Sequence, residues 1–274
     1  LAILSAITAI LCPGNAWTRP PLLSRKVVIL IEDLHKSFKG APVLSGVNLE
    51  IRDDETMVII GPSGCGKSVL LKHIIGLLRP DSGRIIIDGQ DITKFSEKEL
   101  YKLREKFGML FQSAALFDSL STGENVGLWI REHTNTPDDQ ISSKVETILN
   151  LIGLRGVQDK RPSELSGGMK KRVGLARAII HDPKFLLYDE PTTGLDPIMS
   201  DIINDLIITI RQKWKNTAIV VTHDMTSVYK VASRIAMLHK GQIIFIGTPD
   251  EVRNTDNPMV QQFIKGQARG PIAL

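Results

Sequence analysis

The run Gly61-Pro62-Ser63-Gly64-Cys65-Gly66-Lys67-Ser68 sets three glycines ahead of a lysine and a hydroxyl. It follows the apolar stretch Met57–Ile60 and precedes a helical pattern, the context in which G-x-x-x-x-G-K-[ST] binds a nucleotide. The glycines let the backbone turn tightly, so that successive N–H groups face phosphate oxygens. The following helix start adds partial positive charge. Lys67 would reach the β and γ phosphates, and Ser68 would offer its hydroxyl to Mg²⁺. A second cluster is Phe185-Leu186-Leu187-Tyr188-Asp189-Glu190, an apolar strand ending in two acids. In a chain with a phosphate loop this pair suits a Mg²⁺-associated Asp189 and a Glu190 that takes a proton from the attacking water as general base.

Strands must hold these groups. Short β-branched runs occur at Val27–Glu32, Val47–Ile51, Met57–Ile60, Arg84–Asp88, Phe107–Phe111, Phe185–Tyr188, Ala218–Thr222 and Gln242–Ile246. Bounded by Gly, Asp and Pro, they read as buried or half-buried strands. A helix is predicted from Lys67 to Leu78, ended by Pro80, and Ser96 with Glu99 forms a capping box ahead of another that runs to about Lys106. Residues 113–180 contain no strand pattern and read as a helical insert, with helices near Gln140–Leu151 and Gly168–Ile180. The basic run Lys170-Lys171-Arg172 reads as a solvated helix face. The architecture expected is an α/β phosphate-loop core of the RecA-like type, interrupted by a helical subdomain. Its domain spans 27–250, preceded by an extension of uncertain role (1–26) and followed by a tail (251–274).

At 274 residues, 42% hydrophobic and 23% charged, the chain has the composition of a globular protein and not of a disordered one. The net charge of +4 is concentrated in residues 1–26, where Arg19, Arg25 and Lys26 face no acid. The body is nearly neutral, so no nucleic-acid partner is expected. Two cysteines, Cys12 and Cys65, make neither a disulfide framework nor a zinc site, which points to a reducing compartment. No apolar run reaches the ~18 residues of a membrane-spanning helix.

Leu165-Ser166-Gly167-Gly168-Met169 precedes a helix upstream of Glu190 and resembles the signature sequence of ABC transporter ATPase subunits, usually LSGGQ. The family's other elements appear in order. Gln112 stands as the Q-loop glutamine, Asp196 in Gly194-Leu195-Asp196-Pro197 as the D-loop, and His223 as the switch histidine. Phe38 falls where the family places an adenine-stacking tyrosine, and it keeps the stacking face. Val69 completes the nucleotide-binding run at a position where many members carry Ser or Thr, which removes one hydroxyl contact. The resemblance covers about residues 27–250. The stretches Gln112–Leu120 and Arg161–Arg172 are similar to the ATPases of Mce-type (Mla-type) lipid transporters, as is the ending around Phe263–Gly266.

The resemblance implies an ABC ATPase fold that binds ATP and Mg²⁺. Phe38, Gly61, Ser63, Gly64, Cys65, Gly66, Lys67, Ser68 and Val69 would hold one nucleotide. Ser166, Gly167, Gly168 and Asp196 would complete the site of a second copy. Catalysis would rest on Glu190, His223, Lys67 and Gln112, and the metal on Ser68, Gln112 and Asp189. Two ATP molecules between two copies would bridge them until hydrolysis. The implied partners are a separate permease, part of whose docking groove would be Ala114–Phe117, and an Mce-type lipid-binding protein. The implied place is the cytoplasmic face of an inner membrane, or a chloroplast inner envelope in a plant. Alternatives are an ATPase serving an amino-acid or metal transporter, and a soluble ABC ATPase of DNA repair or translation. The latter usually carries two motif sets or a long coiled-coil insert, and this chain has one set and no extended heptad pattern.

Overall fold

The computed structural model describes residues 25–272. The extension read at residues 1–26 therefore lies almost wholly outside the described residues. Two sheets organise the rest. The first is antiparallel: β1 (Val27–Phe38) and β2 (Ala41–Arg52) form a hairpin, β4 (Ser82–Ile87) pairs with the other edge of β1, and the short β5 (Gln90–Asp91) pairs with β4. The hairpin turns through Lys39 and Gly40, both at positive φ (49° and 83°), the hand that matches the twist of the flanking strands.

The second sheet has six strands in the order β10-β9-β3-β8-β7-β6. β3 (Thr56–Ile60), β6 (Phe107–Leu110), β7 (Phe185–Asp189), β8 (Thr217–Val221) and β9 (Arg234–His239) run parallel, and β10 (Gln242–Gly247) returns antiparallel to β9. Its parallel strands are buried on both faces, so they read as continuous apolar runs. Alternation still sorts the side chains. Met57 and Ile59 point into a core shared with the antiparallel sheet, α1 (Lys67–Ile74) and α2 (Glu97–Arg104). Val58 and Ile60 point into the core on the opposite face. That second core is covered by α3 (Thr122–His133), α4 (Asp138–Leu151), α5 (Gly167–Ile179), α6 (Pro197–Trp214) and α7 (Met225–Val231). Each fully buried Ile or Val contributes about 1.5–3 kcal/mol, which makes β3 a rigid base for the loop that leaves it.

Residues 249–272 fold back onto the same core. α8 (Pro249–Asn254) and α9 (Pro258–Ile264) bury Val252 and Val260, and the Gln262 side chain exchanges two hydrogen bonds with the Ile272 backbone, at 2.7 and 3.2 Å. The turn between β2 and β3 is tied to β9 by a buried bidentate pair, with both Arg234–Glu55 contacts at 3.0 Å. Removing one partner of such a pair strands a buried charge, at a cost of about 3–5 kcal/mol.

The structure corrects several expectations. β1 continues past Glu32 to Phe38, because β4 pairs with it as far as His35. α1 stops at Ile74, well before Pro80: Gly76 takes φ +66° and its N–H turns back to the His73 carbonyl at 3.0 Å. The helical insert also includes α3, whose start is marked by a reciprocal Ser121–Glu124 capping box. β9, an interior strand next to the edge strand β10, has no β-branched run to announce it.

Candidate active site

Four parallel strands end on one edge, and their order sets the site. The row β3-β8-β7-β6 places side by side the loop after Ile60, the turn carrying His223, the acids Asp189 and Glu190, and the segment starting at Gln112. Residues far apart in the chain meet because parallel strands all present the same end, where open α/β sheets hold ligands.

The phosphate loop passes close to the neighbouring backbone. A Cβ on Gly61 would lie 2.1 Å from the Leu238 carbonyl oxygen, and one on Gly66 would lie 3.0 Å from that of Val43. Only glycine fits at both. Lys67 opens α1 and is buried; its Nζ donates to the Gly61 and Pro62 carbonyls at 2.8 and 2.9 Å, so the ammonium lies across its own loop. Ser63 and Gly64 form the exposed tip, and Val69 packs on the core beneath. Burial raises the pKa of the Cys65 thiol, against the pull of nearby Lys67.

Ser68 Oγ donates to Asp189 Oδ1 at 2.9 Å, joining the loop to β7. Burial pushes the Asp189 carboxyl above its ordinary range; the Ser68 hydroxyl opposes this and the Glu190 charge adds to it. Glu190 follows with φ +50°. Its carboxylate accepts from Thr193 Oγ1 at 2.9 Å, and His223 Nδ1 lies 3.0 Å from it. Ser68, Asp189, Glu190 and His223 thus form one row, two hydrogen-bonded pairs joined through the Asp189–Glu190 peptide bond.

Lys171 corrects the reading of a solvated basic face. It is buried, and its Nζ donates to the Glu190 carbonyl at 2.9 Å. Burial draws its pKa down, while the carboxylates of Glu190 and Asp189 draw it up. Arg172 likewise turns inward, to the carbonyls of Ile152 and Gly153 at the end of α4. Lys171 falls on the inner side of α5 with Gly168 and Leu175, a helical spacing visible in the sequence but outweighed by three adjacent cations. Thr193 carried no sequence signal beyond its nearness to Glu190.

Among the described residues the other candidates make no hydrogen bond to this row. Gln112 is exposed just beyond β6, and among the described residues no hydrogen bond links it to Ser68 or Asp189. Its segment is clamped: Arg177 donates to the Ala114 and Ala115 carbonyls at 2.8 and 2.7 Å, and Asn125 brackets Phe117 through both its N–H and its carbonyl. Ala114 is buried and Phe117 exposed. Ser166 caps α5, accepting from the Met169 N–H at 3.3 Å, and with Gly167 it is exposed. Gly168 packs where a Cβ would meet Met199 Cε at 2.5 Å. Asp196 caps α6 through the Ile198 and Met199 N–H groups, both at 3.0 Å. Among the described residues no hydrogen bond joins Ser166, Gly167, Gly168 or Asp196 to Lys67, Ser68 or Asp189. Phe38 ends β1 half exposed, with Lys36 Nζ 5.6 Å from its ring centre.

Comparison with known proteins fits this geometry. The ABC transporter family profile matches residues 44–193. The probable ribonucleotide transport ATP-binding protein mkl of Mycobacterium leprae is 42% identical over 248 residues, which is 90% of this chain and 72% of that one. The intermembrane phospholipid transport system ATP-binding protein MlaF of Haemophilus influenzae is 42% identical over 245 residues, 89% of this chain and 93% of its own length. Among solved structures, the dimeric ATP-binding cassette MJ0796, in a post-hydrolysis state with ADP and Pi, superposes with a TM-score of 0.75 at 30% identity, covering 80% of this chain and 98% of that one. The chain belongs to the ABC transporter family, as one of its ATP-binding, ATP-hydrolysing cassettes.

Proposed function

We propose that this cassette powers a membrane transporter of phospholipids, working as a pair of identical copies with a separate permease. The observation that carries the catalytic part is the connected row Ser68–Asp189–Glu190–His223 at the mouth of the phosphate loop. Lys67 leaves the loop carbonyls for the β and γ phosphates of ATP, and the loop N–H groups take the remaining oxygens. Ser68 and Asp189 are hard oxygen donors within 2.9 Å of each other, a set that suits Mg²⁺, which takes one or two protein oxygens and fills its shell with phosphate and water. When bound, the ion neutralises charge on the phosphates. Glu190 accepts the proton of the attacking water, and His223 holds the carboxylate and approaches the γ-phosphate.

Pairing follows from what stands outside the row. Ser166 and Gly167 present a helix N-terminus to solvent, suited to a γ-phosphate held by a second copy. Ile198, beside Asp196, is 75% exposed, which fits burial between copies. Gln112 would gain its place at the metal and nucleotide on closure. Among the described residues no helix is long and apolar enough to cross a membrane. In this reading the transport path belongs to the permease, at whose membrane face this chain works.

The phospholipid cargo rests on the likeness to MlaF along nearly its whole length, and an Mce-type lipid-binding protein is the partner this implies. The name of mkl supplies the contrary outcome. The complex purified from native membranes and reconstituted in phospholipid vesicles should move a fluorescent phospholipid only with ATP. ATP-driven movement of a ribonucleotide, an amino acid or a metal ion, with no lipid movement, would refute the cargo.

A further inference from the structure

Glu190 is held in a conformation it would not choose. An L residue at φ +50° crowds its own backbone, and Pro191 follows, which biases the preceding residue toward extended geometry. Such a residue persists only when its surroundings over-determine it. Its N–H is held by the Val221 carbonyl at 2.9 Å, the ordinary continuation of β7–β8 pairing. The side chains of Thr193 and His223 reach only the far end of its side chain. The carbonyl, whose peptide plane fixes the departure toward Pro191, accepts from the Lys171 ammonium at 2.9 Å and from the Thr193 N–H at a longer 3.3 Å.

Lys171 is an expensive way to hold a carbonyl. It is 5% exposed, and a buried ammonium is retained only where its charge and donors are used. It stands on α5, whose first turn offers Ser166 and Gly167 to solvent. One helix therefore presents the signature loop at its tip and inserts a cation beneath the catalytic acid one turn further on. We propose that Lys171 is a positioning residue for hydrolysis: by holding the Glu190 carbonyl it keeps the carboxylate beside His223, and it ties that acid to the helix of the signature loop. This rests on the reading of Glu190 as general base.

The test compares ATP turnover and ATP binding for the full chain in its purified complex, as wild type, Lys171→Met, Lys171→Arg, Glu190→Gln and the Lys171→Met/Glu190→Gln double variant. Lys171→Met should lower kcat at least about tenfold with KM and Kd for ATP within about twofold. Lys171→Arg, which keeps a cationic donor, should stay within about threefold of wild type. In the Glu190→Gln background, Lys171→Met should change the residual turnover less than about twofold, because its effect passes through that carboxylate. Wild-type kcat in Lys171→Met, a loss confined to KM, or a loss carried in full into the Glu190→Gln background overturns the proposal. Should Lys171→Met fail to fold, Lys171→Arg decides: turnover within about threefold supports it, and a folded variant that loses more than about tenfold overturns it. Wild-type turnover in Glu190→Gln would instead overturn the general-base reading itself.

Discussion

Glu190→Gln should lower ATP turnover by roughly 10²–10⁴-fold, the usual worth of a general base, while ATP affinity stays within about twofold. The substitution keeps the size of the side chain and its place beside Thr193 and His223, and removes only the capacity to take a proton. Phosphate binding depends on the loop after β3, one strand position beyond β8 and two from β7, so the nucleotide should still be held. Because bound ATP bridges two copies in this mechanism, the variant should accumulate as an ATP-bound pair. Single-turnover kinetics with light scattering reads both effects. Undiminished hydrolysis would remove Glu190 from its role, and lost binding would show that the substitution disturbed the loop.

Lys67→Ala should act at the earlier step, weakening ATP binding by about 10–100-fold. That range corresponds to losing one charge-assisted hydrogen bond of about 1.5–3 kcal/mol. The ammonium is already buried among the Gly61 and Pro62 carbonyls; ATP phosphates replace weak acceptors with strong ones, and alanine offers neither. Equilibrium binding of ATP measures it directly, and unchanged affinity would show that the loop is misassigned. The two variants separate by the parameter they move: Lys67 sets Kd and Glu190 sets kcat.

The sequence was most legible where chemistry restricts residue type. The phosphate loop needs glycines that no other residue could replace against Leu238 and Val43, and the acids sit at the end of a wholly buried strand, so both are visible as patterns. The helix α3 was not anticipated, because the apolar spacing after Ser121 is loose and its packing on α4 and α5 decides it. β9 reads Arg-Ile-Ala-Met-Leu-His, a run without strong strand preference that becomes a strand because β3 and β10 pair with it on either side. Lys171 was the most misleading residue. Charge suggested solvent, and only the fold could place Glu190 with its carbonyl above that ammonium. Likewise, the family resemblance pointed to Ser166 and Asp196 as groups that complete a second copy's site, and among the described residues they make no hydrogen bond to Lys67, Ser68 or Asp189.

That separation leads to the central claim, that each nucleotide is enclosed by the phosphate loop of one copy and the signature loop of another. Complementation tests it most directly. Ser166→Arg fills the signature loop and leaves the phosphate loop whole; Lys67→Ala does the reverse. Each variant alone should hydrolyse ATP poorly. Mixed in equal amounts and allowed to exchange, they should recover toward about a quarter of wild-type turnover, since half the pairs are mixed and each mixed pair has one whole site of two. Full turnover by Ser166→Arg alone, or no recovery on mixing although mixed pairs form, would contradict the shared site.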